Sequence, residues 1–71
     1  MISTTQHDIL QKLAAVSELS PDVRLGQLMA HLGFLAEDMF DRSLAEVDDE
    51  QLLEVLRRHQ AELSRRQSHV A

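Results

Sequence analysis

Four histidines, a run of carboxylates and one serine are the residues of this chain whose types could do chemistry. The histidines are His7, His31, His59 and His69. None is paired at metal-ligand spacing. There is no His-x-His, no His-Glu-x-x-His, and no Glu-x-x-His of the kind that builds di-iron bundles. The carboxylates Glu37, Asp38, Asp41, Glu46, Asp48, Asp49 and Glu50 crowd one stretch, with Arg42 as the lone cation among them. They lack the Asp-x-Asp-x-Asp-Gly loop that calcium needs. Helix capping and a solvated acidic surface account for them, so no metal and no cofactor is expected. Ser43 lies in Asp41-Arg42-Ser43-Leu44. An acyl-carrier serine sits in Asp-Ser-Leu at a helix start, and here an arginine is inserted.

Nucleophilic catalysis has no other foothold. There is no cysteine, and no serine stands in a Gly-x-Ser-x-Gly elbow. Gly26 and Gly33 form no phosphate loop, because no Gly-Lys-Ser/Thr follows and no strand precedes them. The expectation is a protein that is not an enzyme. Composition narrows the partners further. The net charge is −5, whereas phosphate contacts need a basic face, so nucleic acid is not an expected partner. Arg57, Arg58, Arg65 and Arg66 form a small basic cluster, interleaved with acids on its own helix. No span approaches the roughly 18 apolar residues that cross a membrane. The N-terminal residues carry no basic and hydrophobic signal pattern. A cytoplasmic protein is the expectation.

Helices must position whatever these residues do. Leu, Ala, Glu, Gln and Arg dominate the chain, and all are strong helix formers. No alternating apolar run marks a strand. The spacing predicts three helices over about 5–19, 21–41 and 48–65, with 1–4 and 66–71 frayed. In the first, Thr5 is the expected cap with Asp8 three residues on, and Ile9, Leu13 and Val16 make the stripe, widened by Leu10 and Ala14. Ser20 and Pro21 are the expected cap and first residue of the second helix. Leu25, Leu28, Met29, Leu32, Leu35, Ala36, Met39 and Phe40 then recur on one face at about 100° per residue. Leu44 and Val47, in the connection that follows, are expected to turn inward. The third helix opens with Val47, Asp48, Gln51 and Leu52 in the positions of a hydrophobic staple and a capping box. Leu52, Leu56, His59 and Leu63 follow one face, with Leu53 and Val55 on its flanks. Glu54–Arg58 and Glu62–Arg66 are the expected i,i+4 pairs.

The fold class is therefore all-α: a small three-helix bundle, or a helical hairpin with a third helix across it. A chain of 71 residues buries only about 60% of the surface its unfolded form exposes. Disulfides are excluded, which leaves self-association, a homodimer, as the expected aid to stability. The second helix carries the features that suit it. Gly26, Ala30 and Gly33 line one edge, where another backbone is expected to approach closely, so Gly33→Leu should disrupt the fold or the dimer. Phe34 projects nearly opposite the main stripe, beside Gln27, His31, Asp38 and Asp41, and is the expected partner contact. The helix would then be buried on more than one side, between its neighbours or at a dimer interface. His31 is expected to be solvated. His59, central in the third stripe, is expected to be partly buried with a hydrogen-bond partner, or to act as a pH-responsive interface residue.

Arg24-Leu25-Gly26-Gln27-Leu28, followed by Val47-Asp48-Asp49-Glu50-Gln51-Leu52-Leu53, resembles a group of short bacterial proteins of uncharacterised function. Their pattern is Arg-apolar-Gly-Gln-Leu, an apolar segment often rich in aromatics, then an acidic start to a leucine-rich helix. The likeness spans roughly residues 20–57 and departs from the pattern at Leu44-Ala45-Glu46, where aromatics would stand. It implies a bacterial source and brings no activity or cofactor. It also implies a fixed polar role for Arg24 and Gln27, one turn apart and able to reach the acids of residues 46–50 as a structural clamp.

The function expected from all this is a protein–protein interaction module, a regulatory or adaptor subunit without catalysis of its own. The alternative is a neutralising protein of the antitoxin or immunity kind, matching a basic partner's charge. A carrier-type subunit using Ser43 is the third.

Overall fold

In a computed structural model, which describes residues 1–68, the chain folds into three helices in the order α1 (Thr4–Leu19), α2 (Leu25–Phe40) and α3 (Asp49–Ser68). The small all-α three-helix bundle is the architecture observed. His69 lies outside the described residues.

Two of the three helix starts differ from expectation, each for a local reason. The cap of α1 is Ser3, not Thr5. Gln6 N–H donates to Ser3 Oγ at 3.1 Å, and Ser3 N–H donates to Gln6 Oε1 at 3.1 Å. Glutamine reaches back to the cap where the shorter Asp8 does not, so this box outcompetes the one at Thr5. Residues 3 and 4 are thereby ordered rather than frayed. Thr5 falls inside the helix, and its hydroxyl donates to Glu50 Oε1 on α3 at 3.1 Å.

Pro21 does not start α2. Val23 N–H donates to Ser20 O at 3.0 Å, closing a turn with Pro21 at its second position, a place that suits its fixed φ as well as a helix start does. The helix begins four residues later than expected. Arg24 caps it, with its N–H donating to Gln27 Oε1 at 3.1 Å. An arginine side chain offers no acceptor, so only half of a capping box is made. The helix ends at Asp41, whose φ of 56° and ψ of 39° place it in the left-handed region, with its N–H on Glu37 O at 2.9 Å. The start of α3 is as expected. Gln51 N–H donates to Asp48 Oδ1 at 2.8 Å, and Asp48 N–H donates to Gln51 Oε1 at 3.1 Å. Val47 and Leu52 flank it, both half-buried against the core. The helix runs on to Ser68, past the expected end at 65.

The core joins Ile9 and Val16 of α1, Leu28, Leu32 and Ala36 of α2, and Leu53, Val55, Leu56 and Leu63 of α3. Leu44 and Val47 turn in against it. The central element is α3. It packs extensively on α1 and over a shorter stretch on α2, while α1 and α2 meet only marginally. Within the chain α2 is thus covered by α3 and does not lie between two neighbours, which corrects that arm of the expectation. It also explains why Leu53 and Val55, expected on the flanks of α3, are as buried as the stripe: each flank has its own helix to face. Leu10 and Ala14, expected to widen the α1 stripe, are instead exposed. Charged pairs on α3 differ from expectation too. Arg57 pairs with Glu54 at 2.6 Å, and Arg58 lies 3.4 Å from Glu62 and 3.8 Å from Asp38 of α2. All are at the surface, where such pairs contribute roughly 0–1 kcal/mol. No described helix is long and apolar enough to cross a membrane.

Candidate functional site

Two places on this frame gather the residues singled out by sequence. The first is a groove at the junction of α2 and α3. Since α3 is central, the middle of its stripe is the inside of the molecule, and His59 is only 6% exposed. Across from it, α2 presents His31. The ring centroids lie 4.6 Å apart with the planes tilted by 53°. His31 is therefore not merely solvated, although its outer side remains exposed. Together with Ser20, Val23, Leu28 and Leu63 they line a cleft of about 190 Å³, with Arg66 at its edge.

His59 Nδ1 is buried and has no hydrogen-bond partner among the described residues, against the expectation that a buried histidine here would find one. The reason is its company. Leu28 and Leu63, which line the same cleft, offer no side-chain polar atom, and the ring set against it is another imidazole. Burial lowers the His59 pKa from its ordinary value of 6.5, because the charged ring would lose its hydration. Repulsion from a charged His31 and from Arg66 lowers it further, while Glu62 pulls the other way. On balance the surroundings favour the neutral ring. Among the described residues no group of three His, Cys, Asp or Glu could hold a metal ion.

The second place is the outer face of α2. Gly26 and Ala30 are exposed, and Gly33 is half-exposed. A Cβ added at either glycine would meet nothing within 4 Å. No backbone among the described residues approaches the small-residue edge, so its expected close packing does not occur within them. The reason is orientation: α2 turns Leu28, Leu32 and Ala36 toward α3, and the glycines point away. Gly33→Leu therefore has no steric route to disrupting the fold itself. Gly33→Ala should instead stabilise the monomer by about 1 kcal/mol through helix propensity. Urea unfolding at low protein concentration would show it as a higher midpoint.

Phe34 stands on the same face, 69% exposed, and Leu25 at the start of the helix is 57% exposed. Arg24 and Gln27 do not clamp residues 46–50. Gln27 caps its own helix. Glu46 accepts from Ser43 Oγ at 2.9 Å, and Asp48 and Glu50 are held by Gln51 and Thr5. Those bonds to Ser43 hold the Glu46 carboxyl below its usual range.

Sequence reasoning missed one apolar hollow. Ile2, Ile9, Leu10 and Leu52 line an open depression of about 300 Å³ between the N-terminus and the start of α3. The only signal was Ile2 itself, an apolar residue ahead of the cap. Comparisons with known protein families, with curated proteins and with solved structures find no match to this chain.

Proposed function

We propose that this chain is a protein–protein interaction module without catalytic activity of its own, that it self-associates, and that the outer face of α2 is the surface it uses. The observation that supports this best is Phe34. It is one of only two aromatic residues, and it stands 69% exposed above small residues rather than in the core. Burying a phenylalanine side chain fully is favourable by about 1.5–3 kcal/mol. That gain is left unused in the isolated chain. The helix that carries it packs only on α3 to any extent.

Light scattering behind a sizing column tests the reading. The wild-type mass should rise with concentration toward twice the chain mass of 8.1 kDa. Phe34→Glu should stay monomeric while its thermal midpoint, read in dilute solution, moves little, because surface substitutions usually change stability by less than about 0.5 kcal/mol. A wild-type chain that stays monomeric at every concentration, or a Phe34→Glu variant that keeps the dimer mass, would remove the basis for it.

One observation favours a second reading. Glu37, Asp38 and Asp41 are all exposed around Phe34. An apolar anchor ringed by carboxylates suits a basic partner protein, as a neutralising protein would require. Co-purification from the native host would then return a stoichiometric basic protein, lost in the Phe34→Glu variant and weakened by salt.

A further inference from the structure

The two histidines that face each other stand at the thinner of the two main joints in this bundle. We infer that they form an acid-operated latch on α2: protonation of the pair frees α2 from α3, while α1 and α3 stay packed together.

Packing decides which helix can leave. α2 is held over a short stretch of α3 and meets α1 only marginally, whereas α1 packs on α3 extensively. Freeing α2 therefore breaks one interface and leaves the larger one in place. That larger interface is also tied by Thr5 to Glu50 at 3.1 Å and by Lys12 to Gln60 at 2.7 Å, and neither bond involves a histidine. Segments held by few contacts open as units, short of global unfolding.

The place of the pair decides what makes α2 leave. His59 is buried on α3, His31 lies opposite on α2, and their ring centroids are 4.6 Å apart. A proton on each ring puts two positive charges across the joint, where they repel more strongly than in bulk water. His59 Nδ1 has no partner among the described residues, so no hydrogen bond at that atom offsets the hydration a charged ring would lose. Both costs fall away when α2 moves off and each ring stands in water.

Little around the pair absorbs the second charge. Among the described residues no carboxylate lines the cleft. From α2 only Leu28 and His31 line it, and Arg24 before them and Glu37 and Asp38 beyond them do not. α1 sends it no titratable group, and Ser20 and Val23, from the turn that follows α1, are neutral. α3 adds Arg66, which repels a charged His59, and Glu62, which attracts it but also lies 3.4 Å from Arg58. Asp38 and Arg58, 3.8 Å apart, do join α2 to α3, but both are exposed, where such pairs hold weakly.

Burial and a charged His31 lower the His59 pKa from 6.5, so the open form accepts a proton that the closed form resists. Opening should therefore become up to about tenfold more favourable for each pH unit below 6.5, until the closed form is itself protonated. A freed α2 uncovers Leu28, Leu32 and Ala36, all buried in the closed form. The chain would thus present an apolar surface in acid that it hides at neutral pH.

Residue-resolved amide hydrogen exchange on the full chain, from pH 7.5 to pH 5 and corrected for intrinsic rates, tests the latch. Leu28, Leu32 and Ala36 of α2 should be tenfold or more less protected than Val16 of α1 and Leu53 of α3 at pH 5. Their protection should fall with pH by up to about tenfold per unit. The total fall should be severalfold smaller in His31→Gln, absent in His59→Leu, and unchanged in His7→Gln, an exposed histidine on α1. Equal protection of all three helices at pH 5 would overturn the latch, since the bundle would then open only as a whole. A wild-type fall retained in His31→Gln would overturn it too, because the facing ring would have no part in the release.

Discussion

Leu56→Ala should cost about 2–5 kcal/mol, the range for truncating a fully buried leucine. Leu56 is 1% exposed, and it sits on the helix that both others pack against. Its loss opens a cavity in the shared core, and an outer helix that closed in to fill it would give up contacts elsewhere on α3. A domain of 71 residues has roughly 4–10 kcal/mol of stability in total. The variant should therefore lose much of its cooperative transition, with a urea midpoint near half the wild-type value or lower. Leu10→Ala is the matched control. That leucine is 55% exposed, and its truncation should change stability by less than about 0.5 kcal/mol. Equal effects from the two substitutions would mean that α3 is not the centre of the packing.

His59→Leu should stabilise the protein, and this is the less intuitive result. A buried polar atom without a partner costs about 1–3 kcal/mol. His59 Nδ1 is such an atom, and leucine would fill the same space with nothing to desolvate. The thermal midpoint should rise by several degrees, since 1 kcal/mol moves a domain of this size by about 4–8 °C.

The same substitution should flatten the pH profile. The folded pKa of His59 is lowered below its ordinary 6.5. Between those two values the unfolded chain binds more protons than the folded one, so stability rises with pH there. The contribution is fully present above 6.5, is lost as pH falls through that value, and levels off below the lowered folded pKa. Charged His31 and Arg66 deepen the loss, and Glu62 moderates it. Urea midpoints measured from pH 8 down to pH 5 should therefore decline in wild type and decline less in His59→Leu. A wild-type profile as flat as the variant's would show that His59 accepts its proton in the folded state as readily as in the unfolded one.

Local information carried much of this fold. The apolar spacing that marks each helix and the reciprocal cap at Asp48 and Gln51 involve residues within a turn or two of one another, and the structure has them as the sequence implies. Where two local signals competed, sequence alone chose wrongly. Ser3-x-x-Gln6 won over Thr5-x-x-Asp8 because the longer side chain reaches its cap. Pro21 served equally well in a turn or at a helix start, and the turn at Ser20–Val23 took it.

How the helices sit on one another was a different matter. That Val55 and Leu53 would be buried from two sides, that the glycine edge of α2 would face no part of its own chain, and that His31 would lie against His59 all depend on contacts between residues far apart in sequence. Periodicity tells which face of a helix is apolar, because neighbours three and four apart share that face. It cannot tell which other helix will cover the face, at what rotation, or which helix will be central. Those are settled only when three stripes of unequal width are buried together, and in this chain α3 had the stripe wide enough to take two partners.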